Sequence, residues 1–436
     1  MSLDLATAAV TGRRRPFGRG SAAFPPTSIG FEAGLALVLL LFVVVSPLAL
    51  VELGLAYDET GGTALEKIHP GTLVASLLLL AALTTQGNPL AWIGDAVART
   101  PAIALYAMGI AVLMAHTILV VKLPFTPLID TFIAPLVIFL LYRHMPERRG
   151  RRLALLLHVL MFANALVGLF EFATGWRITP LVAAGVVIED DWRSTALLGH
   201  PLANASLTGA YLLMLALGGG RDLPRPLRVL AFLAGAAAMV AFGGRAATVL
   251  LLVSLALLAS LRGTAILAGA RFDTRQILAV LVLLPIAAIA TTVLAEAGFF
   301  DQFLERFVDD KGSADARSQM FELFRHVSWH DLVLGPDARH METLRARYGL
   351  DFGIESFWIA YVLTNGLVVS LVFFAALAAF CREIVRATEP GGWWVLAFFF
   401  LVASTSVSLS AKSPLLAVLT LMMSILMRPR GRHPDR

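Results

Sequence analysis

One cysteine, Cys381, is all the thiol this chain has, which excludes a disulfide framework and a thiolate metal cluster. Charge is scarce as well: 15% of the residues are charged, against 58% hydrophobic. No Walker loop, dinucleotide fingerprint or HExxH string occurs, so whatever the protein does, it does without nucleotide hydrolysis of its own. No nucleic-acid motif accompanies the basic residues either, so their partner is read as membrane lipid and not nucleic acid.

What is present is apolar sequence in excess of what a soluble domain of 436 residues could bury; the mean hydropathy is +0.78. Apolar runs long enough to cross roughly 30 Å of hydrocarbon recur at about 31–52, 70–85, 101–121, 126–142, 152–173, 197–217, 227–242, 246–261, 277–296, 355–380, 392–409 and 412–428. The expected fold is an all-α integral membrane protein with about 12 transmembrane helices. Of these runs 70–85, 227–242 and 246–261 are short enough for one to be re-entrant. Residues 1–30 read as a basic cytoplasmic tail leading into an uncleaved anchor, 31–428 as the polytopic domain, and 429–436 as a second cytoplasmic tail.

Charge sets the expected orientation. With the odd-numbered connections inside, about 22 of the 35 Lys and Arg fall on that side, and seven of the remaining 13 lie in one long loop that the positive-inside rule largely ignores. The distinctive polar chemistry then gathers outside, in the connection 174–196 with Glu189, Asp190, Asp191 and Arg193, the "GGRAAT" turn at Gly243–Thr248, and the loop 297–354. Phe299, Phe300, Phe303, Leu304 and Phe307, and then Phe321, Phe324, Val327 and Leu332, recur at helical spacing. With a third short helix from about Asp337 to Gly349, the loop reads as a three-helix lid.

The stretch "DWRSTALLGHPLANAS" supplies Arg193, Gly199, His200, Pro201 and Asn204, and "GGR" supplies Gly243, Gly244 and Arg245. Arginine, GHP and Asn at a helix start, followed by a second arginine turn and a long external loop with an early "AR" (Arg317) and an "LGP" break, resemble the signature of the O-antigen ligase and Wzy-type polysaccharide polymerase superfamily. The wording is most similar to the exopolysaccharide branch named for VpsF. The resemblance covers about residues 150–410. It implies a GT-C-like glycosyltransferase acting at the periplasmic face of the bacterial inner membrane, with undecaprenyl-pyrophosphate-linked glycan as donor and acceptor, no cofactor, and chain-length regulators or export proteins as partners.

The residues make chemical sense of that implication. Guanidinium stays protonated and grips phosphate oxygens in bidentate fashion, so Arg193 and Arg245 are candidate pyrophosphate clamps and Arg317 a third. Arg193 equally reads as an interfacial arginine paired with Asp190 or Asp191, and Arg245 as a snorkelling anchor. His200 is a candidate donor to a phosphate or sugar hydroxyl, or part of a helix start set by Pro201. Asn204 can face the substrate or bond between helices. An acceptor hydroxyl needs a proton acceptor. Where the ligases of the superfamily carry His-Asn, this chain has Glu355-Ser356, leaving Glu355 or the loop residue His340 as the base. The Glu189–Asp191 triplet suggests a Mg²⁺ or Mn²⁺ site but lacks further ligands at a defined spacing, and the expected transfer is metal-independent. The remaining readings are a ligase that passes finished glycan to a terminal acceptor, and a flippase or secondary transporter.

Overall fold

The computed structural model describes residues 28–429 apart from 59–60, 86–87, 144, 184–185, 270–284, 286–287, 290, 309–312 and 351–352. Both predicted tails fall mostly outside the described residues, as does most of the run 277–296. The rest is almost wholly helical, as expected. The exception is a two-stranded antiparallel hairpin, Val182–Ala183 with Val186–Val187, inside the 174–196 connection.

The count of crossings differs from the twelve hydropathic runs. Among the described residues, five helices are long and apolar enough to cross a membrane: Pro101–Val121, Glu147–Thr174, Arg225–Phe242, Arg245–Leu267 and Phe357–Arg386. A sixth span arises if Pro70–Thr84 and Pro89–Arg99 are joined, although the pair is bent by 108°. Ile29–Val44, Thr126–Tyr142, Pro201–Ala216, Gly392–Ala403 and Leu415–Leu426 are apolar but shorter. At 1.5 Å per residue, a helix of 12 to 17 residues falls short of a 30 Å core. Two of these short helices occupy the protein interior. Every residue of Leu415–Leu426 is buried, and nearly every residue of Pro201–Ala216, the pattern of a helix hydrophobic all round because protein surrounds it.

Around that centre, Phe357–Arg386 packs along Pro101–His116, with Tyr106 stacked on Phe380 at 4.2 Å and Phe139 edge-on to the same ring at 5.5 Å. The connections sort to two ends. At one, Arg143 donates to Thr100 (3.1 Å), Arg152 pairs with Glu32 (2.8 Å), Arg428 with Asp222 (2.9 Å) and Arg221 with Glu389 (2.6 Å). At the other, Ser194 N donates to the Ala241 carbonyl (3.0 Å) and Ser413 N to Thr131 (3.1 Å). Buried Asp130 there accepts from Tyr57 Oη (2.8 Å) and Thr72 Oγ1 (2.6 Å). This second end carries the long loop and is called the loop end below.

Among its described residues the loop forms four helical pieces, not three: Asp301–Val308, Ser313–Glu322 with a 3₁₀ extension Leu323–His326, Trp329–Leu334, and Ala338–Arg347. The predicted second helix divides because Ser328 caps a new start, its Oγ accepting from Asp331 N at 3.1 Å. Met320, Leu323, Met341, Leu344 and Leu350 form a small core that continues into Ala360 and Leu363 of the Phe357–Arg386 helix. That helix breaks at Gly366, whose φ of +77° and ψ of 162° are not helical. The backbone of Val333–Gly335 fills the notch so closely that a Cβ on Gly366 has no room, which explains why glycine stands there.

Candidate functional site

Three loop-end connections meet where the Glu147–Thr174, Pro201–Ala216 and Arg225–Phe242 helices end. The first carries Asp191, Trp192 and Arg193. Arg193 is largely covered and turns one edge to Asp191: Nε lies 2.9 Å from both carboxylate oxygens and Nη2 lies 2.5 Å from Oδ2. Asp191 Oδ1 also accepts from the Arg193 backbone N–H at 3.0 Å. Burial works against the Asp191 charge, but the Arg193 hydrogen bonds and charge outweigh it and hold the carboxyl below its usual range. The pairing expected as an alternative for Arg193 is therefore present. It occupies the Nε–Nη2 edge of a group with five N–H donors.

The second connection is the Gly243–Arg245 turn. Gly243 ends the Arg225–Phe242 helix in the left-handed region, φ +61°. A Cβ there would lie 2.8 Å from Arg193 Cγ and 2.9 Å from Trp192 Cη2. Glycine thus serves twice, supplying a helix stop and letting Arg193 lie against the turn.

The third is the loop helix Asp301–Val308. Arg245 Nη1 donates to the Arg306 carbonyl, and Arg306 Nη1 donates to the Gly243 carbonyl at 3.0 Å. Ring contacts hold the helix in place: Phe299 meets Phe172 edge-on at 5.5 Å, and Phe172 meets Trp192 at 5.6 Å. Burial, together with the nearby Arg193 and Arg245 charges, pulls the Arg306 guanidinium down to about 10, against the support of Asp191 and Glu355. Arg193, Arg245, Asp191 and Glu355 thus all lie within electrostatic reach of Arg306. Two guanidinium charges near a third at a half-covered surface disfavour its ionisation, and an anion placed among them relieves that repulsion.

The remaining candidates divide. Glu355 is half-buried on the short segment before the Phe357–Arg386 helix, on the arginine side of the loop. His340 is exposed, with Nε2 3.5 Å from the His326 carbonyl, beside Tyr348, whose hydroxyl meets His326 Nε2 at 2.5 Å. Among the described residues, no hydrogen bond joins His340 to Arg193, Arg245 or Arg306. Arg317 falls on the Ser313–Glu322 helix, but its side chain lies outside the described residues.

His200 caps the Pro201–Ala216 helix through Nδ1, which accepts from Leu202 N at 3.2 Å. Burial, then the Arg193 charge, push it down to about 4, so the ring is neutral at physiological pH. Asn204 is fully buried, with Nδ2 donating to the Thr195 and His200 carbonyls at 2.5 and 3.1 Å. It ties the connection to the helix and takes a structural part. Of the acidic triplet, Asp191 is engaged by Arg193, while Glu189 and Asp190 are exposed. Among the described residues no three His, Cys, Asp or Glu side chains gather as a metal site would require.

Arg306 is the residue that sequence reasoning missed. It is one of seven basic residues in the loop, and no string motif marks it. The available signal was its place three residues after Phe303, which is buried at 7% exposure; Arg306 shares that helix face and is drawn against the protein with it. No family model matches the chain, and no curated protein matches it.

Proposed function

We propose that this protein is a polysaccharide polymerase of the bacterial inner membrane, with a GT-C-like arrangement of its helices, both termini cytoplasmic and its loop end facing the periplasm. It moves a growing glycan from undecaprenyl pyrophosphate onto the terminal sugar of another lipid-linked repeat unit. The observation that carries this reading is the convergence of Arg193, Arg245 and Arg306, from three separate connections, with Glu355 alongside. The sequence resemblance supports it independently, since Arg193 and Arg245 match its two arginine motifs.

In the proposed step the acceptor hydroxyl oxygen attacks the anomeric carbon from the face opposite the leaving group. The bond from that carbon to the pyrophosphate oxygen breaks, and its electron pair leaves on undecaprenyl pyrophosphate. The hydroxyl proton passes to the Glu355 carboxylate, and the anomeric centre inverts. The arginines oppose the charge growing on the pyrophosphate; removing one such donor costs on the order of 3 kcal/mol of barrier. Lys in place of Arg keeps the charge but loses the planar two-point grip.

The test is alanine replacement of Arg193, Arg245 and Glu355 in a complementation assay that reads polymer length at matched protein levels. Loss of long chains with short repeats still exported is the expected result. Normal polymer from all three variants overturns the site. Full-length carrier-linked glycan that never reaches its acceptor identifies a ligase instead, and lipid-linked repeats held on the cytoplasmic side identify a transporter.

A further inference from the structure

Glu171 lies near the loop end of the Glu147–Thr174 helix and is 2% exposed. A carboxylate buried so deeply is costly unless hydrogen bonds compensate it. Oε2 accepts from Ser194 Oγ (2.6 Å), Thr195 N (2.9 Å), Ala196 N (2.8 Å) and Thr195 Oγ1 (3.5 Å), and Oε1 accepts from Ile178 N at 2.9 Å. One side chain thus gathers both ends of the 174–196 connection, including the three residues that directly follow Arg193.

The same short segment is held from three other directions. Ser194 N donates to the Ala241 carbonyl (3.0 Å), two residues before the Gly243 turn. Leu197 N donates to Asn164 Oδ1 (3.0 Å), and Asn204 Nδ2 donates to the Thr195 carbonyl (2.5 Å). Within it Ala196 has a φ of +40°, a left-handed conformation that an L side chain adopts at a cost of about 1 kcal/mol or more. Such a conformation persists only where its surroundings over-determine it, and the Ala196 N–H is one of the groups Glu171 holds.

We propose that Glu171 is a positioning residue: its carboxylate sets the register of the 194–196 backbone so that Arg193 stands opposite Arg245 and Arg306 as one anion-binding group. This rests on the pyrophosphate reading above. Glu171 itself touches no substrate. Through Ser194 and Ala241 it links the Arg193 connection to the Gly243–Arg245 turn, so the two clamp arginines move as one piece. A carboxylate suits this task better than an amide. It accepts on both oxygens, whereas the amide of glutamine brings an N–H₂ face to face with one of the N–H groups now donating.

The test uses purified full-length protein and inorganic pyrophosphate as the probe, with binding measured by calorimetry and folding by thermal unfolding. The variants are Glu171→Gln, Ser194→Ala, Arg193→Ala and the double variant Glu171→Gln with Arg193→Ala. Glu171→Gln is expected to weaken pyrophosphate binding about 10-fold, and Ser194→Ala less, through loss of one hydrogen bond to a charged group. Because Glu171 acts through Arg193, the double variant binds no more weakly than Arg193→Ala alone; residues that act independently would instead add their losses. Additive losses, or unchanged binding in both Glu171→Gln and Ser194→Ala, overturn the proposal while leaving the arginine site intact. Wild-type protein that binds no pyrophosphate, or binding untouched by Arg193→Ala, overturns the underlying site itself. If Glu171→Gln does not fold, Ser194→Ala and its double variant with Arg193→Ala decide the question by the same comparison.

Discussion

Arg245 and Arg306 latch the Gly243–Arg245 turn to the Asp301–Val308 helix from both sides. The guanidinium of Arg245 reaches the Arg306 carbonyl, and that of Arg306 reaches the Gly243 carbonyl at 3.0 Å. Neither bond consumes charge, so both groups remain cations while their positions are set. The two substitutions to alanine should therefore be coupled. Each releases the same junction, and the double variant should lose less transfer activity than the sum of the single losses, by about 0.5–3 kcal/mol. Additive single losses would show that the two arginines act separately.

Gly243→Ala should be damaging in two ways at once, since the residue is left-handed and its missing Cβ would overlap Arg193 and Trp192. The expected loss of stability is about 1–3 kcal/mol, read as a fall in Tm in detergent. Polymer length should shorten even at temperatures where the variant remains folded, because Arg193 is displaced.

His200 predicts a particular acid sensitivity. Its folded value is pushed down to about 4, by burial first and then by Arg193, whereas a free imidazole titrates near 6.5. Between about pH 6.5 and 4 the unfolded chain takes up a proton that the folded chain resists, so stability falls on acidification through that window and is unaffected above it. His200→Asn keeps a helix-capping side chain and should flatten the dependence in that range. An unchanged slope in thermal unfolding between pH 4 and 6.5 would rule out His200 as its source.

Glu355→Gln should reduce transfer by about 10²–10⁴-fold, the usual contribution of a general base, while His340→Ala leaves it near wild type. In an in vitro assay with lipid-linked repeats, the reverse pattern would move the base to the loop histidine.

The outline of this arrangement was legible in the sequence. The Gly-Gly-Arg string marks a turn because the first glycine needs a positive φ, and the strength of the apolar runs marks the helices. Less legible was which of those runs are long helices. Leu415–Leu426 and Pro201–Ala216 read as full crossings by hydropathy, yet they are short helices enclosed by protein, and apolar composition looks alike whether lipid or protein surrounds it. The roles of His200 and Asn204 also needed three dimensions. Their local strings fit substrate contact and helix capping equally well, and only the bonds to Leu202 N and the Thr195 carbonyl separate the two. Arg306 was hidden for the opposite reason, as one basic residue among many whose importance comes from a distant carbonyl.

The seam where Val333–Gly335 fills the break at Gly366 has a mechanical consequence. The described parts of the outer loop are fastened here and again where Arg306 grips Gly243, which ties them to two different helices. Any tilt of the upper half of the Phe357–Arg386 helix drags the loop with it and strains the arginine latch. Held at both places, the loop acts as a brace between two helices.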